Sequence, residues 1–117
     1  MNFNNNLPIY LQIKEKIVFL IITEVYKSND KLPSVREFAT EYEVNPNTVQ
    51  KALSILETEK LTYTKRTNGT YVTVNKDLIN KYKDKLIKEK TNDYLDSMQK
   101  LKVNNEDILN IIRGEMK

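Results

Sequence analysis

The sequence predicts a mostly α-helical protein with one small β-hairpin, and three stretches carry that prediction. Residues 32–56 hold two helix starts, at Ser34 and Asn45, each followed by an apolar stripe at helical spacing. Residues 61–74 hold two β-branched and aromatic runs around Asn68-Gly69, the strongest short hairpin signal. Residues 75–102 are long, charged and free of proline and glycine.

In chain order, residues 1–7 are polar and asparagine-rich and are expected to be disordered. Pro8 opens a helix to about Tyr26. Ile9, Tyr10, Ile13, Ile17, Leu20 and Ile21 form its main apolar face, with Val18, Phe19 and Ile22 around the rest of the cylinder. A helix apolar nearly all round is covered on more than one side, which points to a second subunit or to the C-terminal helix. Residues 27–30 form a turn, and Leu32-Pro33 leads into the helix pair.

Ser34 with Glu37 three residues on forms a capping box, and Val35, Phe38, Ala39 and Tyr42 recur at helical spacing. Asn45-Pro46 is an N-cap followed by proline at the first helical position, where its missing N–H costs nothing. Val49, Ala52, Leu53 and Leu56 form the apolar stripe of this second helix, which ends near Lys60. Opposite that stripe lie Asn47, Gln50, Lys51 and Ser54, with Thr48 at the boundary. Amides pair bidentately with adenine, and hydroxyls serve bases or phosphates. Alone, such a face reads as an ordinary solvated helix surface.

The hairpin next in the chain changes that balance. Leu61–Lys65 and Thr70–Val74 are the two strands, and Arg66–Gly69 is the turn with Lys65 and Arg66 at its tip. A basic hairpin directly after a helix-turn-helix is the wing of a winged helix, placed to touch phosphates or the minor groove. Residues 75 to about 102 then form a charged helix. Leu78, Ile79, Tyr82 and Leu86 mark one stripe, Tyr94, Leu95, Met98 and Leu101 another, and a bend or change of packing partner is expected at Thr91–Asp93. Asn104 caps a last helix with Asp107 at its third position, and Val103 and Ile108 are placed as a hydrophobic staple. Ile108, Leu109, Ile111, Ile112 and Met116 supply its apolar surface. Two thin helices cannot bury these residues alone, and two-fold dimerisation is the commonest remedy.

Composition narrows the function. The chain has 117 residues, a formal charge of +3 and neither cysteine nor histidine. Disulfides and thiolate metal sites are excluded, and the commonest general base and metal ligand is absent. The only glycines are Gly69 and Gly114, so there is no glycine-rich phosphate loop, and no cofactor is expected. The run Ile17–Ile22 is far too short for a membrane span, and no targeting segment is evident, so a cytoplasmic protein without membrane association is expected. The charge is unevenly placed: residues 44–56 and 60–76 carry lysine and arginine and no acid. Two acid-free segments in an acid-rich chain are a local electrostatic footprint.

The motifs from Pro8 to Val72 together resemble the GntR family of bacterial transcription regulators. Pro8–Ile13 resembles its opening helix and Leu32–Ala39 its second-helix motif, with Thr48–Leu53, Leu56-Glu57 and Gly69–Val72 completing the pattern. The short region after the wing, and Val44–Gln50, resemble the YtrA-type subfamily of dimers joined by a two-helix tail, often repressors of transporter operons. The resemblance implies DNA roles for Arg36 in the second helix, for Asn45, Asn47, Thr48 and Gln50 in the recognition helix, and for Gly69 and its neighbours in the wing. Pro46 and Gln50 stand where many relatives carry arginine, and Lys60 and Thr67 where glycine is common.

The expectation is therefore a winged helix-turn-helix domain at 8–75 and a helical dimerisation region at 76–117. Its function is that of a homodimeric repressor on a double-stranded, pseudo-palindromic operator, not an enzyme. Candidate DNA contacts are Ser34, Arg36, Asn45, Asn47, Thr48, Gln50, Lys51, Lys65, Arg66, Asn68 and Gly69. Candidate dimer contacts are Phe19, Ile22, Tyr82, Leu86, Tyr94, Met98, Leu101, Ile108, Ile111 and Ile112. The alternative is a winged-helix protein-interaction module with no DNA role. What relieves binding stays open: a small-molecule effector, a partner protein or simple abundance.

Overall fold

The structure, a computed structural model, describes residues 2–116. Among these residues five helices and one hairpin run in the order α1 (Ile9–Ile22), α2 (Val35–Tyr42), α3 (Pro46–Thr58), β1 (Thr62–Lys65), β2 (Gly69–Val72), α4 (Lys76–Lys100) and α5 (Asn105–Glu115). The chain divides into two compact units, residues 1–81 and 82–117.

In the first unit α3 is the hub, with α1, α2 and β1 all packed on it. Its stripe of Val49, Ala52, Leu53 and Leu56 is buried, together with Ile13, Ile17 and Ile21 of α1, Phe38, Ala39 and Tyr42 of α2, and Leu61 and Val72 of the hairpin. Each large apolar side chain so buried contributes about 1.5–3 kcal/mol, which fixes the face α3 turns inward and so the face it leaves outside. A Lys14–Glu59 ion pair of 2.9 Å braces α1 against the end of α3.

The ends of the elements show where local rules give way. α1 stops at Ile22 rather than near Tyr26. Glu24 turns left-handed (φ 63°), and the N–H groups of Val25 and Tyr26 both donate to the Leu20 carbonyl. Leaving the helix lets Tyr26 meet Phe38 edge-on at 6.3 Å. α2 ends at left-handed Glu43 and α3 just before left-handed Lys60, so two non-glycine residues make the turns. In the stretch expected to be disordered, the Gln12 amide donates to the Asn4 and Leu7 carbonyls and accepts from the Asn4 N–H. Met1, within that expected stretch, lies outside the described residues.

β1 and β2 pair antiparallel, with Thr62 opposite Val72 and Lys65 opposite Gly69. The loop between them is therefore Arg66–Asn68. The second strand ends at Val72, not Val74, and one further bond in the same register, from the Thr73 N–H to the Leu61 carbonyl, closes the ladder. β2 also has a partner on its other edge. Asn29 N–H donates to Val72 O, Val72 N–H to Asp30 O and Leu32 N–H to Thr70 O, with Lys31 bridged to Tyr71. From sequence, residues 27–30 read only as a turn.

α4 runs unbroken through Thr91–Asp93, where a bend or change of partner was expected. The Thr91 hydroxyl donates to the Ile87 carbonyl and the Ser97 hydroxyl to that of Asp93, so polar residues are absorbed within the helix. Left-handed Lys102 (φ 65°) closes its C-terminal end, and Asn104 caps α5 by accepting the Asp107 N–H at 2.9 Å. α4 buries no residue, and α5 buries only Ile108.

Candidate nucleic-acid interface

The interface is built from the start of α3 outward. Asn45 accepts the Asn47 N–H at 2.8 Å, and Pro46 sets the first turn, so the helix begins at a fixed point. The inward stripe then leaves Asn47, Gln50, Lys51 and Ser54 exposed and Thr48 at the edge of that face, as the sequence predicts. Gln50 Nε2 donates to Ser54 Oγ at 3.4 Å, a long bond that is easily exchanged for a better partner. Asn45 acts first as a cap, with its amide N–H groups still available. Lys51 leans back onto α1, its Nζ 4.0 Å from the Tyr10 ring centroid. An exposed contact of that kind is worth about 0.5–1 kcal/mol, less than a phosphate can offer.

α2 contributes its first turn. The Ser34 hydroxyl accepts the Glu37 N–H at 3.1 Å, and the Glu37 carboxylate accepts the Ser34 N–H at 3.0 Å, completing the capping box. That backbone N–H, then the Ser34 hydroxyl and then the charge of Lys31 hold the Glu37 carboxyl below the usual range. Arg36 is exposed and enters no ion pair among the described residues.

The hairpin is stiffened from its base. Tyr63 and Tyr71 stack with centroids 5.7 Å apart, Lys65 Nζ lies 4.6 Å over the Tyr71 ring, and the Tyr63 hydroxyl donates to Asn29. Arg66 and Asn68 are exposed at the tip, and Gly69 takes φ +109°, which side chains rarely adopt. A cleft of about 370 Å³ runs between the start of α2 and the wing, and it brings Ser34, Asn68 and Gly69 together. Lys31 lines the same cleft and is missing from the sequence-derived set. Its signal is faint: one lysine ahead of Leu32-Pro33, with no alternation to mark a strand.

The candidate dimer contacts divide. Ile22 and Ile108 are buried within the single chain, at 9% and 2% exposure. Phe19, Tyr94, Leu101 and Ile111 are exposed, and Tyr82, Leu86, Met98 and Ile112 are not fully covered. Ile87, Leu109 and Met116 are large exposed apolar residues that the candidate set omits. Among the described residues no helix is long and apolar enough to cross a membrane.

Comparison with known proteins places this geometry. The model of "Bacterial regulatory proteins, gntR family" matches residues 9–72. The chain is 35% identical over 111 residues to an uncharacterized HTH-type transcriptional regulator of Bacillus subtilis, YhcF, covering 95% of this chain and 92% of that protein. It is 48% identical over 68 residues to the HTH-type transcriptional repressor YtrA of the same species, covering 58% of this chain and 52% of that one. A GntR family transcriptional regulator from Listeria monocytogenes matches with TM-score 0.90 and 38% identity over 97% of this chain and all (100%) of that one. The DNA-binding domain of AraR, solved in complex with operator ORX1, matches with TM-score 0.56 and 31% identity, covering 57% of this chain and 81% of that one.

Proposed function

The chain belongs to the gntR family of bacterial regulatory proteins, and from that premise we propose that it is a homodimeric repressor of a pseudo-palindromic operator. It is a winged helix-turn-helix DNA-binding transcriptional regulator, of the YtrA-like short type, and not an enzyme. The observation that carries the finer reading is the outer face of α3 from Asn47 to Ser54: exposed amides and a lysine with no acid, beside Arg36 and a basic wing. The AraR domain with its operator supports the same mode of use.

In this mechanism α3 enters the major groove, and half-sites lie about one helical turn (~10 bp) apart. Asn47, Thr48 and Gln50 face the base edges, and Gln50 exchanges its long bond to Ser54 for an adenine edge. Arg36 and Lys51 grip phosphates, Lys51 by leaving the Tyr10 ring. Ser34, Asn45, Lys65, Arg66, Asn68 and Gly69 set the register of α2, α3 and the wing. Residues 8–75 form the DNA-binding part and 76–117 the dimerising part. Phe19 in the first unit, and Tyr82, Leu86, Tyr94, Met98, Leu101, Ile111 and Ile112 in the second, supply apolar side chains for a second copy to cover. The protein acts in the cytoplasm, where its operator is, and a transporter operon is the proposed target.

Sedimentation of the purified chain, alone and with duplexes selected from a random pool, tests this. A dimer when free, two chains per duplex and affinity falling steeply with salt are expected. A monomer, or retention that ignores salt, would favour the interaction-module alternative.

A further inference from the structure

We propose that Lys31 is a further phosphate-contacting residue, lying over the loop end of the wing against the bare Cα of Gly69. This rests on the operator-binding reading and adds to it a residue on neither the recognition helix nor the hairpin.

The lysine is fixed at its backbone, and its flexible end lies against Gly69. Its backbone belongs to the edge that pairs with β2, pinned by Leu32 N–H to Thr70 O at 2.8 Å and Val72 N–H to Asp30 O at 2.9 Å. Leu32, its neighbour, is 3% exposed, and alternation along an extended segment sends Lys31 to the opposite, solvent side. There its stem crosses Gly69 so closely that a Cβ on the glycine would lie 3.0 Å from Lys31 Cε and 3.8 Å from Nζ. The ammonium therefore sits in the cleft shared by Ser34, at the start of α2, and by Asn68 and Gly69 of the wing.

Its charge is not spent. Lys31 enters no ion pair among the described residues. The acid that feels it, Glu37, already accepts the Ser34 N–H. A DNA backbone running from the first turn of α2 to the wing passes over this cleft, where the unpaired ammonium is within reach of a phosphate. A structural role alone would need only the methylene stem over Gly69. Methionine keeps most of that stem and removes the charge, so Lys31→Met separates the two.

The test uses the full chain and a labelled duplex carrying the motif selected by the wild type, titrated at several salt concentrations. For Lys31→Met, affinity at 0.1 M salt is expected to fall about five- to tenfold, with the slope of log K against log[salt] shallower by about 0.9. Lys31→Arg restores both, and the urea midpoint of Lys31→Met stays at the wild-type value. A wild-type slope in Lys31→Met overturns the proposal, and a lowered urea midpoint with that slope assigns Lys31 to wing support. Failure of the operator-binding reading looks different: the wild type itself recovers no motif or binds without salt dependence, and the proposal falls with it.

Discussion

Replacing Gly69 with alanine tests what the wing demands of its backbone. Two costs compete. Gly69 has φ +109°, a conformation that costs a residue with a Cβ about 1–3 kcal/mol. The new Cβ would also lie 3.0 Å from Lys31 Cε, but that atom is near the end of a flexible side chain and can swing away. Rotation off its preferred rotamer costs about 0.5–1.5 kcal/mol at most, so backbone strain dominates. With m about 1–3 kcal/mol/M in urea for a chain of this size, a loss of about 2 kcal/mol lowers the midpoint by about 1 M. Urea unfolding followed by circular dichroism reads this directly. A cycle with Lys31→Ala apportions it: the coupling should not exceed that contact cost, about 1.5 kcal/mol, because removing the lysine does not relieve φ. A wild-type midpoint for Gly69→Ala would refute the strain argument. Rescue by Lys31→Ala would show that the contact, not φ, sets the cost.

Three further outcomes are expected. Asn45→Ala removes the side chain that accepts the Asn47 N–H, and urea unfolding should show a loss of about 1 kcal/mol. Tyr42 is 5% exposed, its hydroxyl has no hydrogen-bond partner among the described residues, and burial, then the Tyr26 and Glu41 charges, pushes its pKa up to about 12. Tyr42→Phe should therefore be neutral or stabilising by up to about 1 kcal/mol in the same assay, and a clear loss would reveal a partner for that hydroxyl. On duplex DNA, Arg36→Ala should weaken binding to all sequences and flatten the salt slope by about one unit, while Gln50→Ala relaxes preference at one position by about 1–3 kcal/mol. Unchanged base preference in Gln50→Ala would remove that residue from the base-reading set.

The parts legible in the sequence are those governed by rules that act within a few residues. Ser34 with Glu37, Asn45 with Pro46, and Asn104 with Asp107 each signal a helix start through a local hydrogen bond, and all three caps are formed. The stripe from Val49 to Leu56 sets the buried face of α3 and, by opposition, the outer face with Asn47 and Gln50. The rest depends on partners distant in sequence. The edge at residues 29–32 exists because β2 offers it free carbonyls and N–H groups, and nothing in the alternation of Asn29, Asp30 and Lys31 announces that. The stop of α1 is set by the contact of Tyr26 with Phe38 across the core, not by a glycine or proline. Lys51 reads as a plain outward cation because its helix position does not record the Tyr10 ring beside it. Ile22 and Ile108 are covered within their own chain, which the sequence does not announce, because an apolar residue covered there and one covered by a second copy share the same pattern.

The central claim is sequence-specific binding by a two-fold dimer, and selection of bound duplexes from a random pool at two salt concentrations tests it most directly. The purified chain should recover a motif with two inverted half-sites about 10 bp apart, with affinity falling steeply between the two salts. Salt-sensitive binding without a motif, or no binding at either salt, would contradict it.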